Sequence, residues 1–88
     1  MRLQYHKKFL KDLASIPAKE RKEIENFVFN EIQMHSNIYD VQRFEKMVGY
    51  EGYYKARFGS YRIGVKYLNN VLTFERVLHR KEIYRFFP

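Results

Sequence analysis

Residues 53–67 read YYKARFGSYRIGVKY, and the alternation within them decides the fold. A period of two places Tyr54, Ala56 and Phe58 on one face of a strand and Tyr53, Lys55 and Arg57 on the other. After Gly59-Ser60 the pattern resumes, with Tyr61, Ile63, Val65 and Tyr67 opposing Arg62, Gly64 and Lys66. A Gly-Ser connection suits a two-residue type I′ or II′ turn that closes Phe58 on Tyr61. That register sets Arg57 opposite Arg62 and Lys55 opposite Gly64. Like charges facing each other across strands are destabilising, so this face calls for an anion. Gly64, lacking a side chain, is expected to leave a hollow among the basic residues where a phosphate can approach the backbone.

Downstream, Asn69-Asn70 forms a second two-residue connection, since Asn tolerates positive φ. Closing Leu68 on Val71 pairs Tyr67 with Leu72, Val65 with Phe74, Gly64 with Glu75 and Arg62 with Val77. Glu75 is then expected to neutralise Arg57 or Arg62. Val71–Leu78 is apolar on both faces, as a central strand should be. Upstream, the first 48 residues contain no glycine and show helical spacing. Phe9, Leu13 and Ile16 form one apolar stripe, while Ile24, Phe27, Val28 and Ile32 form another. Ser15-Ile16-Pro17 reads as the break between them, with Ser15 a cap and the second helix spanning about Pro17 to Met34. Met1–Tyr5 reads as an edge strand, and Val41–Phe44 as a helical turn or a short extended piece. His79–Pro88 reads as a short helix or a tail. The predicted fold is α+β, a single domain over residues 1–88 with an N-terminal helical pair on a small, largely antiparallel sheet.

A chain of 88 residues buries only ~60–65% of its unfolded surface, and its eight Phe and eight Tyr compensate with large buried areas. With no Cys, disulfides and thiolate metal sites are excluded and an intracellular compartment is expected. No apolar run reaches the length of a membrane span, and the opening MRLQYHKKF lacks a signal-peptide core. A cytoplasmic protein with no membrane partner is predicted. Residues 1–42 carry seven Lys/Arg against six Asp/Glu, a balance of +1, and residues 43–88 carry ten against four, a balance of +6. Such clustering is the footprint of phosphate binding. His6, His35 and His79 lack metal-ligand spacing, and no Gly-rich phosphate loop or serine nucleophile motif is present. No cofactor and no metal are expected. Metal-free chemistry on RNA remains open, because the 2′-hydroxyl is a built-in nucleophile. The protein need only orient it, move protons and stabilise charge on phosphorus.

The run YYKARFGSYRIGVKY, followed by a strand and then VLHRKEIY, resembles the RelE/ParE superfamily of bacterial type II toxin–antitoxin modules. Within it the chain is more similar to the RelE-like branch, the mRNA interferases. The resemblance implies a RelE-like microbial ribonuclease-type fold and a metal-independent endoribonuclease that cleaves messenger RNA at the ribosome and so inhibits translation. It implies mRNA, the ribosome and a cognate antitoxin protein as partners. The branch's paired basic residues fall on Lys55 and Arg57, its next-strand arginine on Arg62, its later basic residue on Arg80 and its tyrosine on Tyr84. In the family these orient the phosphate, stabilise its charge and take part in proton transfer. Arg57 stands where a lysine is often found, and arginine is a poor proton acceptor, so Lys55 is the better candidate base. Some relatives use a histidine near this point, which adds His79 and leaves proton transfer open among Lys55, His79 and Tyr84. The alternative from the same superfamily is a ParE-like inhibitor that acts by binding DNA gyrase. That branch does not rely on the Lys/Arg/Tyr cluster.

Overall fold

A computed structural model describes residues 1–88. Five strands form one sheet in the order β1-β5-β4-β3-β2. They are β1 (Arg2–Tyr5), β2 (Phe44–Lys46), β3 (Tyr53–Phe58), β4 (Tyr61–Leu68) and β5 (Val71–His79). Three helices accompany them: α1 (Lys7–Ala14), α2 (Ala18–Phe29) and the single turn α3 (Ile83–Phe86). The fold is α+β as expected. All pairings are antiparallel except β1 with β5.

The β3–β4 hairpin has the register read from its alternation, with Phe58 opposite Tyr61, Arg57 opposite Arg62 and Lys55 opposite Gly64. Gly59 takes φ +58° while Ser60 does not turn positive, the pattern of a type II′ turn. Asn69 and Asn70 both lie at positive φ, 51° and 60°, as a type I′ turn demands. From this second turn Leu68 pairs with Val71, Tyr67 with Leu72 and Val65 with Phe74, as expected. A bulge between Gly64 and Val65 then shifts the ladder by one residue, so Gly64 faces Arg76 and Arg62 faces Leu78. The expected pairs with Glu75 and Val77 are therefore incorrect. A bulge re-aims side chains, and here it exchanges a carboxylate for a guanidinium opposite Gly64.

Asp12 of α1 explains why the shift is held. Beyond Phe74, β1 no longer covers the edge of β5. The Asp12 carboxylate takes its place, accepting from the Val77 N–H at 3.2 Å and from Arg76 Nε at 2.7 Å and Nη2 at 3.1 Å. Burial of an edge N–H requires such a partner. The Arg76 guanidinium is held above its ordinary range, chiefly by its hydrogen bonds to Asp12.

The helical layer covers one face of the sheet. His6 caps α1, its imidazole accepting from the Lys8 N–H at 3.0 Å, and Ser15 is the C-cap of α1. The second helix is shorter than the stripe suggested. It stops at Phe29, and after Asn30 a 3₁₀ turn at Glu31–Met34 carries Ile32 into the same core. The stripe is continuous although the helix is not. Val41–Phe44 leads from a second 3₁₀ turn, Ile38–Asp40, into β2. Between layers, Phe9, Leu13, Ile24, Phe27, Val28 and Ile32 pack on Ala56, Phe58, Ile63, Val65, Leu72, Phe74 and Val77. No helix is long and apolar enough to cross a membrane.

Candidate functional site

The second face of the sheet carries the odd-numbered residues of β3 and the even-numbered residues of β4. The sequence suggests that this face is open. It is not, because α3 and Phe87 lie across its centre. Met47, Ile83 and Phe87 form a small second core there, flanked by Tyr53 and Leu78. The hollow expected at Gly64 is filled: a Cβ on Gly64 would lie 2.5 Å from Phe87 Cδ2. Glycine in a strand interior does mark a close approach, but the approaching group is the protein's own ring and not a phosphate.

Around this plug stand the basic residues. Lys55 Nζ donates to the Tyr84 phenol oxygen at 3.1 Å and lies 5.2 Å from that ring's centroid. Two residues 29 positions apart are thereby joined. Arg57 is exposed. Its cross-strand neighbour Arg62 turns its guanidinium back to the hairpin tip, where Nη1 donates to the carbonyls of Gly59 at 2.8 Å and Tyr61 at 2.9 Å. This geometry leaves Nε and Nη2 of Arg62 available as donors. Arg80 follows β5 at the same tip, its N–H bonded to the Ser60 carbonyl at 2.7 Å and its side chain exposed. Lys66 lies over the Tyr53 ring at 5.5 Å.

The ion pairs of the molecule are Arg21–Glu25, Arg43–Glu23 and Arg76–Asp12. Lys55, Arg57, Arg62, Lys66 and Arg80 have no part in them. Glu75, expected to neutralise Arg57 or Arg62, pairs with neither. On this face five cations therefore stand without a carboxylate partner, a cluster of charge of the kind that suits an anion. His79 is not brought to this group. It faces Tyr61 across the strands, on the helical side of the sheet, with ring centroids 5.8 Å apart. There it lines a cleft of about 270 Å³ with Glu20 and Glu23, and its Nδ1 accepts from the Lys81 N–H. No three His, Asp or Glu side chains converge to hold a metal ion.

The sequence reading missed Asp12, Arg76 and Met47, and in reading His79–Pro88 as a short helix or a tail it did not join Phe87 to Gly64. Asp12 and Arg76 sit 64 positions apart, so no local pattern could join them. Gly64 was the available signal for Phe87.

Comparison with known proteins gives a consistent picture. Residues 3–84 match the family model described as the ParE toxin of the type II toxin–antitoxin system parDE. Toxin RelE3 of Methanocaldococcus jannaschii is 39% identical over 89 residues, covering all of both chains. The structure is similar to that of the RelB–RelE antitoxin–toxin complex from Methanococcus jannaschii, with a TM-score of 0.79 and 38% identity over 97% of this chain and 99% of that one. The archaeal RelE–RelB complex from Pyrococcus horikoshii shares the fold, with a TM-score of 0.68 and 23% identity over 90% of this chain and 93% of that one.

Proposed function

Because the chain belongs to the ParE toxin family of type II toxin–antitoxin systems and is a toxin of RelE type, we propose that it is a ribosome-dependent endoribonuclease that cleaves messenger RNA without a metal ion. The observation that carries this reading is the Lys55–Tyr84 hydrogen bond of 3.1 Å beside unpaired Arg57, Arg62 and Arg80. In the reaction the 2′-oxygen bonds to the adjacent phosphorus and the bond from phosphorus to the 5′-oxygen breaks. One proton leaves the 2′-hydroxyl and one returns to the departing oxygen. Lys55 and Tyr84 carry those transfers between them, Lys55 being a better proton acceptor than Arg57. The three arginines stabilise the charge that builds on the phosphate, as positioned donors do. The ribosome presents the message in line.

Purified toxin added to translating ribosomes with EDTA present should leave 2′,3′-cyclic or 3′-phosphate ends. Products with 3′-hydroxyl ends, or a strict need for a divalent ion, would sink the mechanism. A second reading, inhibition of DNA gyrase by binding, has the ParE description of the matching family in its favour. Mapping transcript 5′ ends after induction separates the two, since a gyrase inhibitor stops replication first and leaves messages uncut.

A cognate antitoxin completes the proposal. Related RelE proteins have been solved in complex with RelB, and five unpaired cations suit an acidic-apolar segment that orders on binding. Rising salt should weaken that complex in part, because charge is screened while apolar anchors are not. A bound antitoxin that leaves Lys55, Arg62 and Tyr84 open would contradict this account of neutralisation.

A further inference from the structure

We propose that Phe87 and Gly64 form a positioning pair that places the Tyr84 phenol against Lys55. The inference rests on the reading of Lys55 and Tyr84 as the reacting pair. Tyr84 is 57% exposed, with its hydroxyl bonded to Lys55, so burial of its own ring does not fix it. The helix that carries it is a single turn, Ile83–Phe86, and an isolated turn has no stability of its own. Its place must come from anchors on either side. Those are Ile83 and Phe87, four residues apart on one face, 1% and 2% exposed. The Phe87 N–H closes the turn on the Ile83 carbonyl at 2.8 Å.

The seat for Phe87 is Gly64. This glycine does not serve the backbone, since its φ is not among the positive ones. It serves space: Cδ2, Cε2 and Cγ of Phe87 would lie 2.5 to 2.6 Å from any Cβ there. Tyr53 walls the seat edge-on, with ring centroids 5.6 Å apart. The bulge adds a second fastening. It brings Arg76 opposite Gly64, and the Arg76 guanidinium, fixed from behind by Asp12, lies 5.4 Å from the Phe86 ring. The residues before and after Phe87 in this argument all hold one thing, the angle at which α3 offers its tyrosine.

Phe87→Ala should therefore lower the single-turnover cleavage rate at saturating programmed ribosomes by about tenfold to a hundredfold, the cost of a misplaced reacting group. The half-saturating ribosome concentration should stay within about twofold. In a Tyr84→Ala background the same change should cost less than about twofold, because the group it positions is gone. Gly64→Ala keeps every other side chain and removes only the seat. It should reproduce the Phe87→Ala loss, and the two together should cost no more than either. Independently of activity, the Lys55 side-chain methylene resonances should move in both variants to their values in Tyr84→Ala, as the ring leaves. If Phe87→Ala and Tyr84→Ala losses multiply, or the Lys55 resonances stay at their wild-type values, the positioning role is overturned. It is also overturned if neither variant folds, since Phe87 is then a keystone of the fold. Should the wild type fail to cut on ribosomes, the nuclease reading falls, and the Lys55 resonances still decide the positioning.

Discussion

Arg62 fastens the turn and, in the proposed reaction, would serve the site as well. Its Nη1 ties the carbonyls of Gly59 and Tyr61 while its remaining donors stay unused. Arg62→Ala should slow cleavage by about 10²–10³, as loss of a positioned donor does. Its effect on stability should be small, because relief of repulsion with Arg57 offsets the lost carbonyl bonds, each worth about 0.5–1.5 kcal/mol. The thermal midpoint should shift by less than about 5 °C. Single-turnover rates and melting curves on the same samples test this, and a large drop in midpoint with normal cleavage by the folded fraction would make Arg62 structural. The facing of Lys55, Arg57 and Arg62 was legible from alternation alone. The contacts of Arg62 were not, because a long side chain chooses among acceptors that only the closed turn supplies. His79 was legible as a residue near the tip, but the register read from the sequence set Val77 opposite Arg62 and so His79 on the basic face; the bulge moves both to the helical face.

Among the elements, α1 and the bulged half of β5 depend on each other. Asp12 and Arg76 are mostly buried, with 12% and 19% of their side chains exposed. Asp12→Ala strands the guanidinium and uncovers the Val77 N–H, and should cost about 2–4 kcal/mol. Asp12→Asn keeps an acceptor for that N–H and should cost less. Urea denaturation of both variants checks the order, and a loss below about 0.5 kcal/mol for Asp12→Ala would reduce the pair to a surface contact. Both hairpins were legible because two-residue turns fix register locally. The bulge was not, since its cause lies on a helix 64 positions away. The end of α2 was misplaced for a related reason: a 3₁₀ turn keeps Ile32 on the apolar stripe after the helix has stopped.

For the whole molecule, burial of phenols sets an alkaline limit. Burial holds Tyr5 above the ordinary value of 10.0, and burial together with Tyr39 and Tyr67 does the same for Tyr54. Above that value the unfolded chain releases protons that the folded one keeps, so stability is unaffected below it and falls as pH rises through it. Tyr54→Phe should blunt the fall above pH 10, read as the thermal midpoint against pH; an unchanged slope would show that other groups set the limit. The parallel join of β1 to β5 has a kinetic meaning as well. Gln4 and Thr73, which meet across it, are 69 positions apart, whereas both hairpins close through two residues. Loop closure over so long a span costs more entropy than a hairpin, so the hairpins should form first. Leu3→Ala should then speed unfolding and leave refolding within about twofold, and slowed refolding in stopped flow would put β1 in the nucleus. During synthesis β1, α1 and α2 leave the ribosome before the sheet that receives them exists. The strand made before the hairpins is placed after them, and until it docks the nascent toxin has no finished edge.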